Sequence, residues 1–453
     1  MKFSVRSIDL FERDVRLRMP FRFGIVTLTE SPQAFARARI RLENGAESEG
    51  AAAELLAPKW FDKNPALTNE QNFEQLRLSL ALARSSYLSG GSNSAFGHFR
   101  AHHQGQIDAG GAKGLNPLTS NYGPALIDRA VLDALCRALG ISFYDAVRRN
   151  VAGLDLPRPF LESLRERQTI AARHTVGLVD PITTADIRER VNDGLPETLD
   201  EVVARYGHRW FKLKVAGDAR ADVERLSAIA SVLDRIAEPY HASLDGNEQY
   251  EDVAGLLELW RRMKSEPRLR RLVSSIVFFE QPIKRQKALA ADVSELSKEK
   301  PVIIDESDDL LDAFVRAKAL GYRGVSSKTC KGIYRSLINA ARCAEWGPQY
   351  FMSGEDLTIQ AGLALQQDLA LVSLLGLTHV ERNGHHYVNG MADLPAHEQE
   401  AFLKAHPDLY ERSHGAVRVR ITDGNLAIRS LACHGYATGA TPEWAQMREM
   451  KIK

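Results

Sequence analysis

Three apolar runs that each end in a carboxylate follow one another along the chain: SLDGNE around Asp245, FFEQP around Glu280 and IIDES around Asp305. Their intervals each fit one strand–helix–strand step, the crossover that makes neighbouring strands parallel. Upstream lies WFKLKV, with Lys212 and Lys214, and downstream GVSSKTCKG, with Lys328. Chemistry on a parallel barrel sits where strands end. Serial strand-end carboxylates between two lysine stations therefore bound the fold and the site together.

From about residue 170 short apolar runs (RHTVGLV, RWFKLKV, YHASLDG, SSIVFFE, PVIID, YRGVSSK, QYFMSG, LTHVE) alternate with amphipathic segments. Continuous apolar runs mark strands buried on both faces. Eight of them at this spacing predict a closed (β/α) barrel rather than an open doubly wound sheet. No glycine-rich dinucleotide or phosphate loop follows any of them. Outside the barrel the pattern changes. Ala36, Ala38, Ile40 and Leu42 alternate with charged residues, as a half-buried antiparallel strand does, and Asn44-Gly45 supplies the turn. The stretch 87–123, rich in Gly, Ser and His, is expected to be a long loop and a lid candidate, with a helix opening at Pro124. Val417, Val419 and Ile421 begin a second alternating hairpin, with Leu426 and Ile428 on its return strand. It is expected to pack back onto the N-terminal domain. The chain thus divides into 1–165, 166–385 and 386–453.

Lys plus Arg (59) and Asp plus Glu (58) nearly cancel, so neither nucleic acid nor a membrane surface is expected as partner. No run is long and apolar enough to span a bilayer, and the charged N-terminus does not read as a signal peptide. Four scattered cysteines (Cys136, Cys330, Cys343, Cys433) suit reduced thiols, so a cytoplasmic location is expected.

Three consecutive strands would bring Asp245, Glu280 and Asp305 to one point on the rim, where their mutual repulsion calls for a cation. All-oxygen ligation favours one Mg²⁺. Glu306 neighbours Asp305 and is expected to face away from it, while Asn247 shares the face of Asp245 and is a candidate for substrate or ligand contact. Lys212 and Lys214 are two apart on a strand, so both face the barrel interior, where cationic neighbours lower a lysine pKa toward that of a general base. Lys328 lies four strands on, across the barrel mouth. Lys331 is expected at the surface. A metal that chelates a substrate carboxylate, with a lysine on each face, suits removal and return of an α-proton through an enediolate.

The strings KLK (212–214), DGN (245–247), EQP (280–282), DES (305–307) and SSKTCKG resemble the mandelate racemase/muconate lactonizing enzyme branch of the enolase superfamily, and its muconate lactonizing-like subgroup. The resemblance implies an α/β fold: a modified TIM barrel, (β/α)₇β, with an α+β capping domain formed by the N- and C-terminal segments. It implies Asp245, Glu280 and Asp305 as Mg²⁺ ligands, Lys214 and Lys328 as acid/base catalysts and Lys212 assisting them. It implies an isomerase or lyase acting on a small-molecule carboxylate by epimerisation or racemisation, cycloisomerisation or β-elimination, and a homo-oligomer. Cap segments that close over the substrate would include Phe21, Arg22 and Phe23, and Lys59-Trp60-Phe61; Arg22 and Phe23 are candidate substrate contacts. The eighth run lacks the Asp-x-Asp pair of dipeptide epimerases; Glu381 is the substitute, and His385 just beyond is a further candidate contact. An alanine often stands where this chain has Gly246, an exchange expected to be harmless. Two other readings stay open: an aldolase or lyase with a Schiff-base lysine on a similar barrel, and a non-catalytic binding descendant of the fold.

Overall fold

The computed structural model describes residues 1–357 and 360–451; residues 358, 359, 452 and 453 lie outside the described part. The alternation of the first fifty residues builds a long meander: β1 (Phe3–Phe23), β2 (Val26–Leu42) and β3 (Glu47–Leu55), all antiparallel. Gly45, at φ +88°, makes the β2–β3 turn. The two-residue strand β4 (Ser92–Asn93) adds to β1. One face of this sheet is covered by α1 (Asn69–Ser89), α2 (Ala95–Gly111) and α3 (Pro117–Leu139).

Two of these helices differ from the sequence expectation. The glycine-rich stretch 87–123 is no loop: it contains α2, capped by Ser94, whose side chain accepts from the Gly97 amide. Phe96, His98, Phe99 and Gln106 are buried, so packing outweighs poor helix propensity. Gly110 serves that packing, because a Cβ there would meet the Ser120 hydroxyl at 2.1 Å. Helix α3 begins at Pro117 behind an Asn116 cap, seven residues before Pro124. Pro124 leaves the Ser120 carbonyl without its helical partner. That carbonyl instead accepts from Ser79 Oγ at 2.8 Å and Gln106 Nε2 at 2.9 Å, so the helix continues.

Eight parallel strands follow: β5 (Thr169–Val176), β6 (Trp210–Lys214), β7 (His241–Asp245), β8 (Ile276–Glu280), β9 (Val302–Ile304), β10 (Gly324–Ser327), β11 (Phe351–Gly354) and β12 (His379–Arg382). Each pairs with the next and β12 pairs with β5, which closes a barrel. Helices such as Ala219–Leu233, Val253–Ser265 and Ile333–Trp346 join successive strands on the outside. The fold is a modified TIM barrel with an antiparallel capping sheet. No helix among the described residues is long and apolar enough to cross a membrane.

The C-terminal segment is shared between the two parts. Its hairpin is β13 (Tyr410–Ser413) with β14 (Ala416–Val419), one strand earlier than the alternation suggested. The next strand, β15 (Asn425–Ala427), pairs with β5 because buried Leu426 sits opposite Ile170 in the barrel sheet. Strand β16 (Arg448–Glu449) returns to the cap, against β1, and Glu398, Tyr436 and Thr438 also contact it, at Arg13 and Asp133.

Cap and barrel meet at a buried ionic knot. Glu54 of β3 accepts from Arg129 of α3 at 3.0 Å and lies 3.1 Å from the hydroxyl of Thr329, just past β10. Burial dominates and pushes Glu54 up to about 7 despite Arg129. A folded-state value above the unfolded one gives stability that is complete below the ordinary glutamate range and lost as pH rises through the folded value. Between pH 4.5 and 7 the protein is therefore expected to lose up to about 3 kcal/mol through this group. Urea unfolding across that window checks it. Glu54→Gln should flatten the slope, and an unchanged slope would contradict the assignment.

Candidate active site

The strand register carries three of the predicted residues to one level. Lys214 pairs with Asp245 across β6 and β7, and Asp245 with Glu280 across β7 and β8. Glu280 pairs with Ile303, and Asp305 lies two residues further on the same face. All three carboxylates are fully buried. Lys212, one layer below, donates to Glu280 and Glu355 at 2.8 Å and to Glu381 at 2.9 Å, and lies 2.9 Å from Asp245. Lys214 donates to Asp245 at 2.6 Å and Lys328 to Asp305 at 2.7 Å.

These contacts set the charges. Burial alone would raise Asp245 and Asp305, but Lys212 and Lys214 hold the first below the usual range, and Lys328 and Lys331 hold the second there. Glu280 goes the other way: burial, then the carboxylates of Asp245 and Glu355, push it well above the ordinary glutamate value. Its Oε2 is buried without a partner. The donor set is all oxygen, and a buried carboxylate oxygen is left over at its centre, so Asp245, Glu280 and Asp305 fit a hard divalent cation. Lys212 and Lys328 are not lowered as expected from their charge alone. Burial disfavours the charge on Lys212 and Lys328, yet the carboxylates around each outweigh it and hold both above the ordinary lysine range.

The strand ends themselves are constrained. Asn247, Glu248 and Gln281 adopt φ of 39°, 68° and 32°, each a left-handed conformation that strains a non-glycine backbone. At Gly246 an added Cβ would lie 2.7 Å from Pro282 Cα, so the glycine is dictated by the close approach of the β7 and β8 ends rather than being a free exchange for alanine. Gln281 closes the clamp: its Oε1 accepts from the amides of Asp305 (2.8 Å) and Ser307 (3.1 Å), and its Nε2 donates to Ile283 O and Ser307 Oγ.

Above the carboxylates lies a small, partly enclosed cavity. Lys214, Asn247, Lys328 and Glu381 line its floor and walls; Phe21, Phe23, Leu28 and Trp60 from the cap roof it. The Trp60 ring stacks 4.3 Å from Lys328 Nζ. Phe23 and Asn247 therefore stand at the cavity, as does Glu381, which also accepts from Thr175 Oγ1 at 2.7 Å and the Asp356 amide at 3.0 Å. Arg22 does not: it is exposed, because on β1 it alternates with buried Phe21 and Phe23. His385 does not either; it packs against His174 and His208, whose neighbours in sequence, Arg173 and Thr175, take the inward positions. The glycine-rich stretch contributes α2 to the cap helices and nothing to the cavity lining. Glu306, expected to face away, is buried beside the site, where its Oε1 accepts from Lys63 at 3.1 Å and Asn247 Nδ2 at 3.3 Å. Lys331 is buried rather than superficial, 3.1 Å from Asp308 and bonded to Ser326 Oγ at 2.8 Å.

Sequence reasoning missed Glu355, which also receives Arg173 in a buried ion pair. Its one signal is its place after QYFMSG, a strand-end carboxylate like the other three. Lys63 and Leu28 carried no signal, since each depends on how the cap folds over the barrel.

The family model described as Enolase C-terminal domain-like matches residues 194–430. Among solved structures, an enolase from Bradyrhizobium complexed with magnesium and mandelic acid is 14% identical, with TM-score 0.62, covering 98% of this chain and 97% of that one. A 2-chloromuconate cycloisomerase from Rhodococcus opacus 1CP is 15% identical, TM-score 0.61, with 97% of each chain covered. A mandelate racemase/muconate lactonizing protein from Herpetosiphon aurantiacus is 16% identical, TM-score 0.61, covering 95% and 98%. No curated protein matches in sequence.

Gln281→Ala would leave the buried amides of Asp305 and Ser307 without an acceptor, at a cost of about 1–3 kcal/mol. Denaturant unfolding should show that loss. Calorimetric Mg²⁺ titration should show affinity reduced about 10- to 100-fold, as when an orienting partner of a ligand is removed. Unchanged Mg²⁺ affinity would mean that the clamp does not position Asp305.

Proposed function

The chain belongs to the mandelate racemase/muconate lactonizing branch of the enolase superfamily, and on that premise we propose that it is a Mg²⁺-dependent isomerase or lyase. It takes a proton from the carbon α to a substrate carboxylate, and the outcome is epimerisation or racemisation, cycloisomerisation or β-elimination. The observation that carries this reading is that Lys214 and Lys328 line one cavity from strands β6 and β10, four apart in an eight-stranded barrel. Asp245, Glu280 and Asp305 would hold the cation, which when bound would stabilise the negative charge that develops on the substrate carboxylate.

The chain's own residues supply the rest. Lys214 and Lys328 face a substrate α-carbon from opposite walls, so one takes a proton and the other can return one to the far face. Each ammonium is held by one aspartate, Asp245 or Asp305, which fixes where Nζ points. Lys212 keeps the carboxylates of four strands at fixed separation beneath the cavity. Phe21, Phe23, Leu28, Trp60 and Leu357 present an apolar surface that excludes water and suits an apolar substrate body.

Proton exchange tests the reading. Carboxylic acids incubated with the enzyme and Mg²⁺ in D₂O should gain α-deuterium, followed by NMR. Lys214→Ala and Lys328→Ala should each slow exchange by about 10²–10⁴-fold, and a chelator should abolish it. If no acid in a broad panel exchanges, or if both variants exchange at the parent rate, the proposal fails.

A further inference from the structure

Alternation along β5 points Arg173 and Thr175 into the barrel and therefore turns His174 outward, toward the helix layer. Two more histidines meet it there from the neighbouring strands. His208 stands before β6, where the helix Leu199–Tyr206 ends at Gly207 in the left-handed conformation. His385 lies in the short helix Gly384–Tyr387 that follows β12. The three rings form a nearly equilateral triangle, with centroids 5.3 Å (His174–His208), 5.3 Å (His174–His385) and 5.2 Å (His208–His385) apart. One ring nitrogen from each lies within 4.8 Å of the others. His174 and His208 are buried and His385 is half-buried.

We propose that His174, His208 and His385 form a second metal site, a three-histidine centre for a borderline divalent transition ion such as Zn²⁺, on the outer face of the barrel and separate from the carboxylate site.

Three observations carry it. His208 Nδ1 lies 2.9 Å from the Ala172 carbonyl, a bond that places its proton on Nδ1 and leaves a lone pair on Nε2. That Nε2 is buried with no partner. An imidazole oriented by a backbone carbonyl, with its other nitrogen bare, is the usual posture of a metal-ligating histidine. Second, His174 Nδ1 and His385 Nε2 share a hydrogen bond at 3.2 Å, a separation close to the edge of about 3.3 Å that two ligands make around a tetrahedral Zn²⁺, so an ion would take the place of the proton between them. Rotations that draw the most distant nitrogens together by roughly 1.5 Å complete the triangle. Third, His174 and His208 are buried and His385 is half-buried, surroundings that disfavour an imidazolium and favour the neutral ring that binds metal. A layer of stacked aromatic side chains would explain the ring contacts but not the bare Nε2 of His208.

The donors select the ion. No carboxylate stands among the three, and imidazole suits Zn²⁺ and similar borderline ions, whereas Mg²⁺ and Ca²⁺ take oxygen. A narrow crevice lined by Tyr206, Leu365, His385 and Arg418 lies beside His385. Since the histidines come from the flanks of β12, β5 and β6, a bound ion would tie together the seam where the barrel closes.

Zn²⁺ competition against a chromophoric chelator tests the site, with the full chain stripped of metal and then kept in millimolar Mg²⁺. One Zn²⁺ per chain should be captured. His208→Gln and His385→Asn should each weaken capture by at least ~100-fold, beyond the effect of losing an orienting neighbour, while Asp245→Asn leaves it unchanged. Circular dichroism establishes that the variants are folded, and the half-buried position of His385 makes its variant the second route if His208→Gln is not. Co²⁺ in place of Zn²⁺ should give the visible absorption of a nitrogen-ligated ion in the parent and lose it in the histidine variants. The proposal is overturned if no Zn²⁺ is captured, if capture survives both histidine variants, or if it is lost in Asp245→Asn.

Discussion

At the centre of the barrel a single ammonium group, Lys212 Nζ, lies within 2.9 Å of carboxylates from four places: Asp245, Glu280, Glu355 and Glu381. All are at most 1% exposed. Buried like charges of this density are tolerated only when each is paired or hydrogen-bonded. Lys212 meets that demand for the strand ends β7, β8, β11 and β12 at once. Removing it would leave several uncompensated buried charges, where even one broken buried pair is worth about 3–5 kcal/mol. Lys212 thus ties together, beneath the cavity, the carboxylates that the strand register brings to the barrel mouth.

The cap completes what the barrel begins. The barrel alone presents Lys214 and Lys328 to an open mouth; Phe21, Phe23, Leu28 and Trp60 turn that mouth into a small apolar chamber. Trp60 does so partly through the ammonium of Lys328 itself, on which its ring stacks. The cap is in turn held by charge as well as by apolar contact. Arg285, just past β8, donates to the carbonyls of Trp60 and Phe61, and Lys63 bonds Glu306 and the Asn247 carbonyl. Roof and floor are thus tied at the residues that would face a substrate.

What could be read from the sequence depended on periodicity. Asp245, Glu280 and Asp305 each end a run whose apolar character marks it as a strand, and the spacing of those runs implied the barrel. Lys212 and Lys214 were legible because two residues apart on a strand share a face. Glu355 also ends an apolar run, QYFMSG, and that position was its one signal. Helix α2 was hidden because glycines lower propensity, while the burial of Phe96 and Phe99 that overrides it is a tertiary fact. Arg22 was misplaced because its alternation with Phe21 and Phe23 sends it to the opposite face. The histidines 174, 208 and 385 lie on three separate runs, and only barrel closure between β12 and β5 brings them together.

The strongest indication of what the inner site is built for lies in the unequal treatment of its carboxylates. Asp245 has Lys214, Asp305 has Lys328 and Glu355 has Arg173, while Glu381 accepts from Thr175 and a backbone amide. Glu280 has only its quarter share of Lys212, and its second oxygen is buried with no donor. A structural ion network would be expected to satisfy that oxygen, since leaving it bare is among the more expensive arrangements in a protein interior. Within the protein alone the burden is met by raising the carboxyl's proton affinity. A hard cation held by Asp245, Glu280 and Asp305 would meet it by adding positive charge beside Glu280. The carboxylate least provided for is thus the middle one of the three, and its deficit marks the point about which the two lysines are arranged.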